Sequence, residues 1–235
     1  MEIQPQQHCF ASMSDLAVTL AEKITSHLTE RLKEQQQVSL VVSGGNTPKI
    51  LYEKLSTMEL DWSRVVITLT DERWVAVDDH NSNEWLIKNS LLINKAQAAQ
   101  WISLKTDDAT PEQAIQTIDA RLEKIPKPYD IIILGMGLDG HTASLFPCAE
   151  NITQALDLNY PHACIAMHPR NAPFARMSLS LNELKKSRCS ILLLQGKEKW
   201  AIYQKALTNL TDWPNMPIRK LLHNPSCMEV YYSEQ

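Results

Sequence analysis

The chain has 235 residues and a formal net charge of −4 at pH 7, so it can bury the core of one α/β domain and has no general attraction to nucleic acid or to an anionic membrane. Its five cysteines form no C-x-x-C pair, which predicts reduced thiols rather than a disulfide framework or a zinc site. Residues 1–8 do not resemble a secretory signal and no apolar run reaches membrane-spanning length, so we expect a cytoplasmic protein with a single domain over residues 1–235.

An amphipathic helix is predicted over residues 14–36, because leucine and isoleucine recur there at every fourth position. A buried strand at 38–42 follows and runs into the sequence SGGNTP at 43–48, after which a second helix begins. We expect Thr47 to cap that helix and Pro48 to be its first residue. This arrangement of strand, glycine loop and helix predicts an anion-binding site, because the loop N–H groups and the helix N-terminus both favour negative charge. A plain tight turn is the alternative.

The next buried strand, at 65–69, runs into three consecutive charges, DER at 71–73. A charge cluster of this kind is commonly a solvated loop, and its position at a strand end makes a functional role an equal alternative. Two further helix starts are predicted, one from the polar pair Ser82-Asn83 and one from Thr110-Pro111, a cap followed by proline. A short strand at 101–104 is predicted between them.

The most informative stretch is a buried strand at 131–134 that runs into three of the chain's six glycines, at 135–140. Asp139 and His141 flank the last of these glycines. Such a loop lets the backbone approach a ligand at the carboxyl end of a strand. The stretch also matches the dinucleotide fingerprint G-x-G-x-x-G, but Pro147 interrupts the long helix that the fingerprint requires, and no acidic residue ends a second strand about 20 residues later.

Alternating strands and helices continue to the end of the sequence, with strands predicted at 162–167, 176–181, 190–195 and 228–232. In the helix that follows the third of these, Lys199 lies in the first turn, where a cation opposes the helix dipole. A bound anion would explain its position, and a tolerated exposed lysine is the alternative. The alternation predicts one α/β domain whose mostly parallel sheet is covered by helices on both faces.

Four motifs follow one another along the chain: SGGNTP at 43–48, DERWV at 71–75, SN at 82–83 and GMGLDGHTASLFP at 135–147. In sequence and in order they resemble the glucosamine-6-phosphate isomerase/6-phosphogluconolactonase family. The resemblance extends from residue 38 to about residue 205. It implies a modified doubly wound, Rossmann-like α/β fold.

Two features resemble the lactonase branch of that family rather than the deaminases. The deaminases typically continue Asp-Gly-His with IAFNEP, which supplies an additional catalytic glutamate, whereas this chain has TASLFP at 142–147. They also tend to have tyrosine where this chain has Arg73. Two alternatives remain, a sugar-phosphate isomerase or deaminase and a non-catalytic phosphosugar sensor.

The lactonase resemblance implies hydrolysis of 6-phospho-D-glucono-1,5-lactone to 6-phospho-D-gluconate in the oxidative pentose phosphate pathway. It implies a small phosphosugar lactone as the partner, with no cofactor and no metal, and we expect a monomer or weak homodimer. His141 would be the general base near Asp139, Arg73 would lie near the lactone, and Asp71 and Gly137 are further site candidates. The phosphate would be bound by Ser43, Gly44, Gly45, Asn46 and Thr47, with Arg176 and Lys199 as cationic partners.

Two departures from the family pattern concern the same phosphate site. Asn46 stands where the family usually has serine, although its amide can still bind phosphate. The segment at 168–175 reads HPRNAPFA where the family usually has a Lys-Pro-Pro run, so Arg170 replaces one cation or that cation is lost.

Overall fold

The computed structural model describes residues 5–209, 211–222 and 228–235. Residues 1–4, which belong to the segment that does not resemble a secretory signal, lie outside this described part, as does Cys227. Within it, no helix is both long enough and apolar enough to cross a membrane.

The helices of the described chain are α1 Met13–Glu34, α2 Lys49–Leu55, α3 Asn83–Ser90, α4 Pro111–Leu122, α5 Ile152–Ala155, α6 Leu181–Leu184, α7 Lys197–Thr208 and α8 Arg219–Leu222. The strands are β1 Gln6–Phe10, β2 Val38–Val42, β3 Val65–Leu69, β4 Asp71–Arg73, β5 Gln100–Ile102, β6 Tyr129–Leu134, β7 Cys164–Met167, β8 Arg176–Leu179, β9 Ser187–Gln195 and β10 Met228–Ser233.

The central sheet joins seven parallel strands of the described chain in the order β1-β10-β9-β6-β2-β3-β5. The chain runs outward from β2 to β3 and β5, returns to the other side of β2 with β6, and continues through β9 to β10. Winding therefore reverses between the neighbours β2 and β6, which pair in register at Leu40 and Ile131. Ligands of open α/β sheets bind at such a reversal, beyond the carboxyl ends of the strands. The loops that follow β2 and β6 meet there.

A second, antiparallel sheet of β4, β8 and β7 adjoins this edge. Thr70 is the single residue between β3 and β4. Its N–H donates to Val42 O over 2.9 Å, at the end of β2, and its carbonyl accepts from the Leu179 N–H over 2.8 Å, in β8. The second sheet therefore starts directly at the point where β2 and β3 end, which places the DER motif beside the crevice.

The first helix shows how local pattern and packing agree. Leu16, Leu20 and Ile24 lie on its buried face, four residues apart, as the sequence predicted. Ser12 Oγ accepts a hydrogen bond from the Asp15 N–H over 3.2 Å, a cap worth about 1 kcal/mol. The buried face of α1 belongs to one continuous hydrophobic core that also contains every residue of β2 and β3 except the polar Ser39 and Thr68.

The predicted fold class is confirmed, and the strands predicted at 38–42 and 65–69 are present without change. The strand predicted at 101–104 occupies Gln100–Ile102 instead. The prediction that Thr47 caps α2 with Pro48 as its first residue is wrong. The helix begins at Lys49 without a side-chain cap, because a backbone turn precedes it in which the Lys49 N–H donates to Asn46 O over 3.2 Å.

Candidate active site

The loops that follow β2 and β6 border a cavity of about 250 Å³. Distant parts of the chain supply its walls, including the DER motif, the start of α3 and the first turn of α7. The lining residues are Ser43, Gly44, Gly45, Asp71, Arg73, Asn83, Gly135, Met136, Gly137, His141, Ala143 and Lys199.

Asp139 and His141 form a hydrogen-bonded pair in the loop after β6. His141 Nδ1 lies 2.5 Å from Asp139 Oδ1, and the His141 backbone N–H donates to the same oxygen over 3.1 Å. Because a carboxylate only accepts, Nδ1 carries the hydrogen and Nε2 of the neutral ring keeps its lone pair. Burial acts to raise the pKa of Asp139, but the hydrogen bonds and charge of His141 outweigh it and lower that pKa below its ordinary value.

Two neighbours fix the ring of His141. A Cβ on Gly137 would stand 2.2 Å from His141 Cε1, so only glycine leaves room for the imidazole there. On another side, the Phe146 ring lies with its centroid 4.1 Å from that of His141, tilted by 32°. Together with Asp139, these contacts leave Nε2 as the ring nitrogen without a hydrogen-bond partner in the described chain.

The loop after β2 needs glycine at two positions for two different reasons. A Cβ on Gly44 would stand 1.9 Å from Asn83 Oδ1, so this position is fixed by a close approach. Gly45 has a φ of +96°, a conformation that side chains rarely adopt. The loop begins at Ser43, whose buried carbonyl accepts a hydrogen bond of 2.6 Å from the Tyr52 hydroxyl. Packing therefore holds this loop open toward the cavity.

Lys199 brings positive charge into the cavity from α7. It is half-buried, and no hydrogen bond or ion pair joins it to another residue of the described chain. Burial lowers its pKa below the ordinary lysine value, because the charged form loses hydration there. Lys199 is therefore a cation without a counter-ion among the residues that the structure describes.

Arg176 is a second cation without a full set of partners. Only 5% of it is exposed, and its Nη1 is buried with no hydrogen-bond partner in the described residues. It lies directly opposite Arg73 in the β4–β8 ladder, where like charges destabilise the pair. Burial and the charge of Arg73 lower the pKa of Arg176, while Asp71 and Glu72 act in the opposite direction. An anion in the site would satisfy this group.

Asp71 is held as a hydrogen-bond acceptor by two hydroxyl groups. Thr70 Oγ1 donates to its Oδ1 over 2.9 Å, and Ser144 Oγ donates to its Oδ2 over 2.6 Å. The Ser144 N–H in turn donates to Ser178 Oγ over 3.2 Å. Because Ser144 lies three residues after His141, this network ties the loop of the imidazole to the second sheet.

Glu72 is buried, with 1% exposed, and stabilises the start of α3. Its carboxylate accepts from the N–H groups of Arg73, Asn83 and Glu84, each over 2.7 Å, and from Ser82 Oγ over 3.0 Å. Burial raises the pKa of Glu72 to about 7, and these hydrogen bonds oppose the rise. The acid therefore links the DER motif to the SN motif.

Most of the residues predicted for the site converge in the structure. Asp139 and Arg176 do not line the cavity themselves. Asp139 is hydrogen-bonded to the lining His141, and Arg176 lies opposite the lining Arg73 in the β4–β8 ladder. Asn46 is exposed, Thr47 is half-buried, and neither lines the cavity. The predicted residues that do line it are Ser43, Gly44, Gly45, Asp71, Arg73, Gly137, His141 and Lys199.

Sequence reasoning missed other residues of the same site. Asn83 was assigned only a capping role, yet it lines the cavity and Ser82 is the residue that caps α3. Ser144 and Glu72 were quoted inside motifs without a role of their own. Their contacts join residues that lie 73 and 11 positions apart, which no local pattern reveals.

A larger, open groove of about 720 Å³ lies elsewhere and is lined in part by Trp213 and Lys220. It contains no residue predicted for the site, so its size alone does not make it the better candidate. Within the described chain, no group of three or more His, Cys, Asp and Glu residues is arranged to hold a metal ion.

Fold and site together define an α/β protein that holds an acid–imidazole pair at the switch point of a parallel sheet, beside a lysine that has no ion-pair partner in the described residues. The chain belongs to the family described as glucosamine-6-phosphate isomerases/6-phosphogluconolactonase, whose model matches residues 11–230.

Individual relatives agree with this assignment. The chain is 37% identical to a 6-phosphogluconolactonase of Pseudomonas aeruginosa, with 94% of this chain and 93% of the relative covered. It is 34% identical to a 6-phosphogluconolactonase of Rhizobium meliloti, with 96% and 97% covered. A crystal structure of a 6-phosphogluconolactonase from Shewanella baltica OS155 superposes with a TM-score of 0.95 at 39% identity and covers 99% of both chains.

Proposed function

We propose that this protein hydrolyses 6-phospho-D-glucono-1,5-lactone to 6-phospho-D-gluconate in the oxidative pentose phosphate pathway. The observation that carries the proposal is that the imidazole of His141, paired with Asp139, borders the same cavity as Lys199, which has no partner in the described part of the chain. A base and an anion-binding cation are thus available to one small molecule. The names of the similar proteins support the same substrate.

In the proposed mechanism His141 is the general base. Its Nε2 takes a proton from a water molecule as the water oxygen forms a bond to C1 of the lactone. The tetrahedral intermediate then collapses, the bond between C1 and the ring oxygen breaks, and the ring oxygen takes up the proton from the imidazolium. Positioned general bases typically contribute ~10²–10⁴-fold to the rate. Asp139 keeps the hydrogen on Nδ1 and stabilises the imidazolium.

The oxyanion of the intermediate requires a hydrogen-bond donor. Arg73 lines the cavity, and its Nη1 already donates to Asn81 O over 2.6 Å, which orients the guanidinium. Either the remaining N–H groups of Arg73 or a backbone N–H of a glycine loop would serve, for roughly 3 kcal/mol of transition-state stabilisation.

The phosphate is proposed to lie against the loop at 43–47, with Lys199 and Arg176 as cationic partners. Neither cation forms an ion pair within the described chain, and Nη1 of Arg176 is buried there without a hydrogen-bond partner, which supports this assignment. Phosphate binding would orient the lactone toward His141 and distinguish it from unphosphorylated lactones. Direct contacts from Asn46 and Thr47 remain part of the proposal, although neither residue lines the cavity.

The isomerase or deaminase alternative is less well supported by the surroundings of His141. Phe146 is the residue before Pro147, where the deaminases typically have their additional glutamate, and its ring packs against the imidazole. A phenyl ring can neither donate nor accept a proton. The sensor alternative is less well supported because the Asp139–His141 pair is intact.

The experiment is to measure acid release from freshly generated 6-phosphogluconolactone and ammonia release from glucosamine 6-phosphate in parallel. The proposal predicts lactone hydrolysis well above the spontaneous rate and no ammonia release above background. Ammonia release without accelerated lactone hydrolysis would contradict it and favour a deaminase.

The proposal further includes a cytoplasmic location, no cofactor, and a monomer or weak homodimer as the active form. The cytoplasmic location follows from the reduced-cysteine pattern of the sequence. Sedimentation of the purified protein at micromolar concentration would test the oligomeric state.

A further inference from the structure

We infer that Asn83 determines specificity in this site, because its amide oxygen is placed to accept a hydrogen bond from a hydroxyl group of the bound phosphosugar. The inference rests on the proposed function and adds a substrate contact to it. The cations and the backbone N–H groups that would bind the phosphate only donate hydrogen bonds, so a hydroxyl of the sugar needs an acceptor from elsewhere in the cavity wall.

Asn83 is rigidly held at the cavity. It is the first residue of α3, is 2% exposed and lines the cavity wall. Its backbone N–H donates to Glu72 Oε1 over 2.7 Å, and its side-chain Nδ2 donates to the backbone carbonyl of Asp71 over 2.8 Å. Both ends of the residue are thus fixed by buried acceptors of the DER motif.

These contacts determine which way the amide faces. A backbone carbonyl only accepts, so the nitrogen of the Asn83 amide must point to Asp71 and the oxygen must point away from it. A Cβ placed on Gly44 would lie 1.9 Å from Asn83 Oδ1 and 2.6 Å from Asn83 Nδ2. The amide oxygen is therefore nearer than the nitrogen to the loop that follows β2. In the described chain no group donates to this oxygen.

The amide oxygen of Asn83 can bind only a ligand group that donates a hydrogen bond. An amide oxygen accepts hydrogen bonds and repels the oxygens of a phosphate, so the phosphate must bind to the cations and the loop N–H groups instead. The remaining donors of a phosphosugar are its hydroxyl groups. A site built to bind a hydroxyl rejects a ligand that lacks it, because a buried acceptor then stays unpaired. Asn83 should therefore distinguish sugar phosphates by one hydroxyl.

The test uses 6-phospho-D-gluconate and its 2-, 3- and 4-deoxy analogues, whose dissociation constants are measured by calorimetry. The wild-type protein is expected to bind one deoxy analogue about 3- to 10-fold more weakly than the parent, the range of a single neutral hydrogen bond. Asn83→Ala should bind the parent weaker by a similar factor and should no longer distinguish that analogue from it.

Ser82→Ala is the matched control. It removes a donor to Glu72 and the cap of α3 but keeps the amide of Asn83, so the preference between parent and analogue should persist. If Asn83 were only structural, Asn83→Ala would weaken all four ligands equally and keep the wild-type preference, which would overturn the inference.

A second outcome would overturn the inference even if Asn83→Ala does not fold, namely a wild-type protein that binds the parent and all three deoxy analogues equally well. Failure of the proposed function would be recognised separately, as wild-type protein without lactone hydrolysis above the spontaneous rate. An active enzyme without hydroxyl preference would reject the Asn83 contact alone.

Discussion

Arg73 and Arg176 lie directly opposite each other on β4 and β8, and Nη1 of Arg176 is buried without a partner in the described residues. Two facing cations raise the energy of the ligand-free protein, since one guanidinium is desolvated and incompletely hydrogen-bonded. An anionic ligand would supply the missing acceptor. Under the proposed function, this arrangement exchanges some stability of the free protein for affinity toward the phosphate.

Replacing Arg176 by methionine should therefore separate affinity from stability. Loss of a charged hydrogen bond should cost about 1.5–3 kcal/mol, which is roughly 10- to 150-fold in the Kd of 6-phosphogluconate. The ligand-free variant should melt no lower than wild type, because a desolvated charge is replaced by an apolar side chain. Calorimetric titration and thermal unfolding measure the two effects. Arg170 is exposed, pairs with Glu150 and does not line the cavity, so it does not replace the missing cation there, and Arg170→Met serves as the control. Equal affinities of all three proteins would contradict the prediction.

Gly44→Ala should disturb the loop after β2 in a way that a second substitution relieves. Its Cβ would stand 1.9 Å from Asn83 Oδ1, so either the loop or α3 must move and affinity for 6-phosphogluconate should fall. Adding Asn83→Ala removes the three clashing atoms, and a coupling free energy of about 1 kcal/mol or more is expected.

Gly45→Ala, made alone and together with Asn83→Ala, is the comparison for Gly44→Ala. A Cβ there meets no atom within 4 Å, and the damage arises from the positive φ instead. Asn83→Ala should therefore not relieve it. If both glycine variants respond to Asn83→Ala in the same way, the steric explanation for Gly44 is wrong.

Glu72 should give the protein a distinct dependence of stability on pH. Its pKa rises from 4.5 in the unfolded chain to about 7 in the folded protein, chiefly through burial. Below pH 4.5 both states are protonated and this contribution to stability is fully present. As pH rises through about 7, the unfolded chain loses its proton first, and up to about 3 kcal/mol of stability is lost.

Glu72→Gln does not titrate and serves as the reference. Its unfolding free energy should be lower than that of wild type at pH 5, because the NH2 group of the amide cannot accept a backbone N–H that the corresponding oxygen of the protonated carboxyl still accepts. The difference should narrow as pH rises to about 8. Denaturant unfolding at several pH values measures this, and a difference that stays constant or widens would show that Glu72 remains ionised throughout.

Asp139→Asn should lower kcat more than it changes KM. The asparagine amide can turn its nitrogen toward Nδ1 of His141, which shifts the ring hydrogen to Nε2 and removes the base. A decrease in kcat of about 10- to 100-fold is expected, a large part of what a general base contributes. Asp107→Asn, at an exposed position away from the cavity, should keep wild-type kinetics. Unchanged kcat in Asp139→Asn would mean that the carboxylate only shapes the turn.

The parallel sheet could be predicted from the sequence because its inner strands are locally distinctive. Every residue of β2, β3 and β6 is buried, so each appears as a continuous, mostly apolar run. By contrast, β1 Gln6–Phe10 was not predicted. It is polar and partly exposed, and it forms only by pairing with β10 at the far end of the chain.

The site was predictable where glycine or charge marks it and not where tertiary contacts create it. Gly137 was predicted because several glycines follow one strand, and in the structure a Cβ at this position would collide with the ring of His141. The role of Asn83 depends on α3 packing against the loop after β2. The DER motif resembled a solvated loop equally well, because only the fold shows that Glu72 is buried.

The rate of 6-phosphogluconolactone hydrolysis by wild-type protein and by His141→Ala, each compared with the spontaneous rate, tests the account most directly. Binding of 6-phosphogluconate, measured alongside, should persist in the variant because the cations remain. We predict wild-type turnover well above background and a loss of about 100-fold or more in His141→Ala, with His162→Ala at a distant histidine unchanged. A His141→Ala protein that keeps the wild-type kcat would contradict the account.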